Sequence, residues 1–181
     1  MLSVGYELYC KLVEETVREL QGGASEEAQP EEDTSVELGI PAFLPESYVA
    51  DELTRLSMYK RIASIASDDD KYEVTDELLD RFGDLPRPAQ NLLDIALIRS
   101  MASRCGVSKV ALQHKKLVLL FEEKNCLGPE LFAALMDDYG LRLTIYGGVE
   151  PRVALALDKA PAAQEAEVIL TTMLAFREEA S

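Results

Sequence analysis

The sequence predicts an α+β fold: a helical half over about residues 45–105, then a ββαββα half whose small antiparallel sheet is backed by helices. Apolar residues recur every three or four positions in the first half, which is helical spacing. Short runs of alternating apolar and polar residues, typical of strands, follow only after Gly106. With 181 residues, 48% of them hydrophobic, the chain can bury a core without disulfides or metals.

The first 35 residues predict a helix followed by a linker. Residues 1–23 carry an apolar stripe at helical spacing and end in a Gly-Gly pair; the stripe comprises Tyr6, Tyr9, Val13, Val17 and Leu20. Residues 24–35 contain five acids and no large apolar side chain, so they predict an acidic flexible linker. Residues 36–181 then form the main body. Without its own partner, the stripe of residues 1–22 could pack on another copy of the chain.

Three helices are predicted in the first part of the body, after an extended segment over residues 36–44. The first begins at Asp51, and its predicted buried stripe comprises Leu53, Leu56, Tyr59, Ile62, Ala63 and Ala66. The second is capped by Ser67 or Asp68 and ends at Gly83, with Val74, Leu78 and Phe82 one turn apart. The third spans residues 87–105 with almost no polar face, so it should be central.

The second part of the body predicts two hairpins, each followed by a helix. Residues 107–112 and 117–121 are strand-like and flank a turn at residues 113–116. Gly128 and Pro129 start a helix that Gly140 ends. Residues 141–146 and 153–157 alternate around Gly147 and Gly148, and a last helix follows. These elements complete the predicted ββαββα half.

Charge and composition exclude several classes of function. Because 33 acids oppose 18 bases, the net charge of −15 disfavours autonomous binding of nucleic acid. Neither glycine-rich phosphate-binding motif is present, so we expect no nucleotide site and no ATPase activity. Three cysteines without metal-ligand spacing fit a reducing cytoplasm, and no apolar segment is long enough to span a membrane.

Candidate chemical groups are few. His114, the single histidine, lies beside two lysines in a predicted hairpin turn, where a solvated role is expected. The run at residues 68–70 lacks the remaining ligand pattern of a calcium loop and is better explained as a helix start. Residues 81–124 hold eight bases and four acids, a local basic excess that fits a solvated hairpin and helix flank. We therefore expect no catalytic residue, no metal and no cofactor.

Glu77 and Asp80 lie three residues apart on one face of the second helix, away from its apolar stripe. One interpretation is a solvated acidic face in which Glu77 pairs with Arg81 four residues later. The other is a surface that meets a basic partner. Composition alone favours the solvated face.

Three segments resemble the C-terminal domain of the bacterial transcription-repair coupling factor family. They are residues 44–64, which begin Leu-Pro-Glu-Ser-Tyr-Val, residues 77–86, which read Glu-Leu-Leu-Asp-Arg-Phe-Gly-Asp-Leu-Pro, and residues 88–93, which read Pro-Ala-Gln-Asn-Leu-Leu. The start Val-Gly-Tyr-Glu-Leu-Tyr at residues 4–9 is similar to the end of the translocase module that precedes that domain. Over about residues 40–99 the resemblance is specific. In the second half of the chain only the order of strands and helices agrees with the family.

The resemblance implies a non-catalytic, autoinhibitory interaction domain within an ATP-dependent DNA translocase. It would dock on the UvrB-like N-terminal module of the same protein, mask recruitment of UvrA and restrain the translocase in transcription-coupled nucleotide excision repair. UvrA and RNA polymerase would be indirect partners. Glu77, Asp80 and Arg81 fall at the interdomain interface by their place in the matching motif. The alternative is a small standalone hydrolase or transferase that uses carboxylates such as Asp69, Glu77 or Asp80.

Overall fold

The computed structural model describes residues 34–122, 128–148 and 150–179. The predicted helix at 1–23 with its apolar stripe, linker residues 24–33, Cys10, Lys124 and Cys126 lie outside the described residues. The chain divides into two compact units. The described residues of the first are 39–96, and those of the second are 34–38, 97–122, 128–148 and 150–179.

The first unit is helical and confirms the predicted helix order. It holds α1 (Glu52–Ala63), α2 (Asp68–Phe82) and the first ten residues of α3 (Arg87–Arg104). Asp51 caps α1 by accepting a hydrogen bond from Thr54 N at 2.7 Å. Ser67 and Gly83 bound α2 as predicted. The α3 residues from Leu97 onward belong to the second unit.

Polar groups fix the loop that precedes α1 to the helices of the first unit. Tyr59 Oη accepts a hydrogen bond from Leu44 N at 2.8 Å. Tyr48 Oη donates to the carbonyl of Gly83 at 2.9 Å. Asn91, which is buried, donates from Nδ2 to the carbonyl of Pro41 at 2.8 Å. Because buried amides need partners, these contacts hold the extended segment in one conformation.

The predicted buried stripe of α1 is wrong at both ends. Met58 and Ile62 are buried, whereas Leu53 is 77% exposed. Ala63 and Ala66 are exposed as well, and Ala66 lies beyond the last residue of the helix. Leu53 lies five residues before Met58 and therefore about 140° around the helix from it. The inward face is thus set by the spacing of Met58 and Ile62, and Leu53 points to solvent.

The second unit contains a five-stranded sheet and two helices, which confirms the α+β class. The strands are β1 (Ser35–Glu37), β2 (Val107–Gln113), β3 (Lys116–Phe121), β4 (Leu143–Tyr146) and β5 (Arg152–Ala156), in the order β1-β2-β3-β5-β4. The helices α4 (Pro129–Tyr139) and α5 (Ala162–Glu179) pack against it. Buried side chains alternate along β3 and include Leu117 and Leu119. The helix α5 packs against β3, and its buried side chains include Ile169 and Leu170.

The sheet is mixed, because β1 adds a parallel strand beside the four antiparallel ones. Val36 pairs with Val110, and Thr34 donates a hydrogen bond to the carbonyl of Val107 at 3.0 Å. Ser35, the last residue of the predicted linker, already belongs to β1. Pairing with a strand more than 70 residues away is non-local, so no local spacing predicts it.

Both predicted hairpins are confirmed, but their strands begin and end at residues that differ from the predicted ones. The first has a two-residue turn, His114 and Lys115, both in the left-handed region with φ of 49° and 62°. In the second, β4 begins at Leu143, because residues 140–142 form a single 3₁₀ turn. Leu141 in that turn is fully exposed.

Candidate docking surface

The helix α2 presents one face to the interior of its unit and the opposite face to solvent. Val74 and Leu78 are buried on the inner face. Residues at positions 73, 76 and 80 are exposed, since the helical repeat places them away from that stripe. The sequence motif that carries Glu77 and Asp80 therefore lies on an accessible helix surface.

The start of α2 is held by a local hydrogen-bond set. Ser67 Oγ accepts from Asp70 N at 3.2 Å, and the Asp70 carboxylate accepts from Ala66 N at 3.0 Å and from Ser67 Oγ at 2.9 Å. The bond from Ala66 N and those from Ser67 lower the pKa of Asp70, because they favour its charged form. The aspartates at residues 68–70 form the first helical turn, which agrees with their interpretation as a helix start.

Glu77 is bound by two arginines. Its Oε1 lies 2.8 Å from Arg81 Nη1, and its Oε2 lies 2.7 Å from Arg61 Nε. The predicted pair with Arg81 is thus present, and Arg61 on α1 adds a second pair that sequence spacing does not show. Both carboxylate oxygens are engaged, so Glu77 links α1 to α2.

Arg81 is held in place on three sides. Besides Glu77, its Nη1 lies 3.6 Å from Met58 Sδ, and its guanidinium lies 5.0 Å from the centre of the Phe82 ring. A guanidinium over an aromatic face gains cation–π attraction. The Arg81 side chain therefore connects α1 to the end of α2.

Asp80 differs from Glu77 in having no ion pair or side-chain hydrogen bond within the described part of the chain. It is exposed, as are Glu73 and Asp76, which also lack such partners there. These three carboxylates keep their hydrogen-bonding capacity available for another molecule. The two acids of the motif consequently have different roles in the structure.

An open depression of about 640 Å³ lies along this face of α2. Its lining residues are four acids, one base and two largely apolar side chains: Glu73, Asp76, Glu77, Asp80, Arg61, Tyr72 and Leu79. We call it the α2 groove. Sequence analysis found Glu77 and Asp80 but missed the others. The helical spacing of 73, 76 and 80 would have found the acids, whereas the exposure of Leu79, next to buried Leu78, depends on the tertiary packing.

Of the three carboxylates named in the alternative enzyme hypothesis, Glu77 and Asp80 line the α2 groove and Asp69 does not. Asp69 lies in the first turn of α2 and Asp80 in its last, 11 residues or about 16 Å apart along the helix. Glu77 is occupied by two guanidinium groups. Paired acid–base chemistry needs two available carboxylates that flank one bound molecule, whereas here Asp69 lies apart and the Glu77 carboxylate is already bound by two arginines.

The other sequence candidates lie in the second unit. His114 is exposed in the two-residue turn between β2 and β3. Cys105 is buried, and desolvation raises the pKa of its thiol to about 11, which opposes nucleophilic reactivity. Within residues 34–122, 128–148 and 150–179, no group of three or more His, Cys, Asp or Glu side chains is placed to hold a metal ion. None of the helices described there is long and apolar enough to cross a membrane.

Comparison with known proteins gives concordant results. The family model described as "TRCF domain" matches residues 38–131. The transcription-repair-coupling factor of Escherichia coli K12 is 41% identical over 139 residues, which cover 76% of this chain and 12% of that protein. The Bacillus subtilis protein of the same name is 31% identical over 144 residues, 78% of this chain and 12% of that protein.

A solved structure shares the fold. It is described as the crystal structure of the C-terminal domain of transcription-repair coupling factor, with a TM-score of 0.72 and 22% identity, covering 82% of this chain and 96% of that one. The chain spans about an eighth of the length of the curated relatives it matches. The match to more than half of the residues shows that this chain belongs to the TRCF domain family, the family of transcription-repair coupling factor domains.

Proposed function

We propose that this chain is a non-catalytic, autoinhibitory domain that docks through the α2 groove on the UvrB-like N-terminal module of a coupling factor. The docked domain masks recruitment of UvrA and restrains the DNA translocase during transcription-coupled nucleotide excision repair. The observation that carries the proposal is the motif at residues 77–83, where Asp80 is exposed and has no partner among the residues that the structure describes. Family membership supplies the context.

The electrostatics of the groove favour a basic partner. Four carboxylates and one guanidinium line it, so an approaching surface with arginines or lysines is attracted and an acidic one is repelled. Each exposed ion pair contributes about 0.2–1 kcal/mol, so several must act together. Such a contact is weak enough to open when a competing state is stabilised, which an autoinhibitory contact requires.

No catalytic role is part of this proposal. UvrA and RNA polymerase are reached only through the full-length coupling factor, and the ATP-dependent translocase lies in other domains of it. We expect neither ATP turnover nor duplex DNA binding by this chain at physiological salt, given its net charge of −15.

The direct test is a binding titration of the 181-residue chain against a separately produced UvrB-like module. Asp80→Lys should weaken docking at least tenfold, because it places a cation against a basic surface. It should change the free energy of unfolding by only about 0.5 kcal/mol, since an exposed residue without a partner is replaced. The double variant Glu77→Lys, Asp80→Lys should dock more weakly still, but it also breaks the two pairs of Glu77.

Asp137→Lys is the matched control. Asp137 is exposed on α4, two residues before the last residue of its helix, and Asp80 holds the same position in α2. The two variants have equal net charge. If both bind the module as the unchanged chain does, the α2 groove is a solvated face and the proposal fails.

A further inference from the structure

The five-stranded sheet of the second unit has two faces that differ in burial. Along β3, Leu117, Leu119 and Phe121 point to one face and are almost completely buried. Buried apolar side chains need a covering layer, and α4 and α5 pack against β4 and β3, so these helices lie on this side. Val118 and Leu120 point to the opposite face and are only half-buried. We call this second side the open sheet face.

The open sheet face has an apolar centre and a polar rim. The strand register places side chains of β2, β3 and β5 at its centre, namely Ala111, Val118, Leu120, Ala154 and Ala156. At the β1 edge, Lys109 Nζ lies 2.6 Å from Glu37 Oε1. At the β4 edge, the guanidinium of Arg152 lies 4.8 Å from the centre of the Tyr146 ring. An apolar centre inside a polar rim is typical of a protein interface.

The chain carries a segment of complementary chemistry outside the described residues. Residues 1–22 contain the apolar stripe at helical spacing, and residues 1–33 contain nine acids and two bases. The charged side chains that the described structure places around the open sheet face are three bases and one acid: Lys109, Lys116, Arg152 and Glu37. The segment therefore matches this face both in apolar surface and in the sign of its charge.

The point of attachment favours contact within one chain. Thr34 leads directly into β1, whose Ser35 and Glu37 side chains lie on the open sheet face. Residues 24–33 join the stripe to Thr34, and a flexible chain of that length has a root-mean-square reach of about 16–19 Å. The sheet measures about 19 Å from β1 to β4 at the usual strand spacing of about 4.8 Å. A helix from Tyr6 to Leu20 is about 21 Å long, so its length matches that width.

We infer that the apolar stripe of residues 1–22 packs as a helix on the open sheet face of its own chain. Its large side chains lie over the alanines of the face, which leave room for them, and the acids beside the stripe meet the bases of the rim. A tether of this length gives a local concentration on the order of millimolar, so a second copy at micromolar concentration competes poorly. The inference concerns the second unit and does not rest on the α2 groove.

Disulfide trapping in the 181-residue chain tests this contact. Cys10 follows Tyr9 and lies one turn after Tyr6, so it borders the stripe. Val118→Cys, combined with Cys126→Ser to remove a competing thiol, is oxidised at micromolar concentration under native conditions. A disulfide needs Cα atoms within about 7 Å of each other, so a docked stripe should give a bridge between positions 10 and 118. Mass mapping of unreduced peptides identifies the bridge, and Leu120→Cys should give one as well.

Val168→Cys in the same background is the matched control. Val168 is 50% exposed on α5, in the same unit, and α5 covers the other face of the sheet. A segment that is only tethered would reach both positions, whereas a docked one should bridge position 118 about tenfold faster than position 168. Circular dichroism and urea unfolding show that each variant is folded.

Two changes within the segment separate docking from mere proximity. Val13→Ser removes an apolar side chain of the stripe and should slow bridging at position 118 about threefold. Glu15→Ser lies on the opposite side of the predicted helix and should leave the rate unchanged.

Equal bridging rates at positions 118 and 168 would show that the stripe does not dock on the open sheet face, and the inference would be wrong. Disulfide-linked dimers in place of the bridge within one chain would show that another copy covers the face, which also contradicts it. Neither result changes the expected effect of Asp80→Lys in the docking titration, so the proposed function is tested separately.

Discussion

Glu77 and Asp80 show how two acids of one motif acquire different roles from their surroundings. Glu77 engages Arg61 and Arg81 with its two oxygens, and its side chain is only 27% exposed. Asp80 is exposed and has no such partner among the described residues. The first therefore stabilises the packing of α1 on α2, and the second is available to another molecule.

Replacing Glu77 by Gln should lower the free energy of unfolding by about 0.5–1.5 kcal/mol, because two exposed charge pairs are lost at once. Urea denaturation followed by circular dichroism measures the change. The control is Asp80→Asn, which removes a carboxylate that has no partner in the described part of the chain and should change the free energy of unfolding by no more than about 0.5 kcal/mol. Equal effects of the two variants would show that the Glu77 pairs contribute nothing to stability.

The turn between β2 and β3 contains a non-glycine residue in a strained backbone conformation. Lys115 has a φ of 62°, a conformation that costs a non-glycine residue about 1 kcal/mol relative to glycine. Lys115→Gly should therefore raise the free energy of unfolding by about 0.5–1 kcal/mol. Lys116→Gly, one residue later in β3, should lower it, because glycine weakens a strand interior. A loss of stability in Lys115→Gly would contradict this account of the turn.

At the scale of elements, the boundaries of α2 were predictable because they are set by local chemistry. Ser67 caps the first turn, and Gly83 takes a φ of 83°, which glycine adopts without steric cost. The hairpin of β2 and β3 was predictable because two strand-like runs flank the polar residues 113–116. The parallel pairing of β1 and the exposure of Leu53 and Leu79 were not predictable, because each depends on residues distant in sequence or on how one helix packs against another.

The cap of α2 predicts an acid-dependent loss of stability. The pKa of Asp70 is lowered in the folded state, first by the hydrogen bond from Ala66 N. A lowered pKa contributes stability that is present above the unfolded value of 3.8 and is lost as the pH falls through the folded value. The stability of the unchanged chain should therefore decline below about pH 4.

Asp70→Asn should weaken that acid dependence. Thermal unfolding between pH 6 and pH 3 measures it. The comparison is Asp69→Asn, the adjacent exposed aspartate, whose side chain accepts no hydrogen bond in the described structure. If Asp70→Asn and the unchanged chain lose stability in parallel over this range, the cap is not the source of the dependence.

At the scale of the whole molecule, family membership was accessible from the sequence through short motifs rather than through catalytic chemistry. Composition and motif searches gave no constellation for catalysis, and the described residues add no metal-binding group. Helical spacing predicted that Glu77 and Asp80 share a helix face away from the buried stripe, and in the structure Asp80 is exposed and Glu77 is half-buried. The groove around them, with Arg61 from another helix and Tyr72 and Leu79, required the tertiary structure.

The most direct measurement of the central claim is UvrA binding by a full-length coupling factor that contains this domain. The factor carrying Asp80→Lys is compared with the unchanged factor and with the Asp137→Lys control, each without an activation step. The account predicts that only Asp80→Lys binds UvrA at least tenfold more tightly, because loss of docking shifts the population toward the open state. Equal UvrA affinity for all three, with the domain shown to be folded, would contradict it.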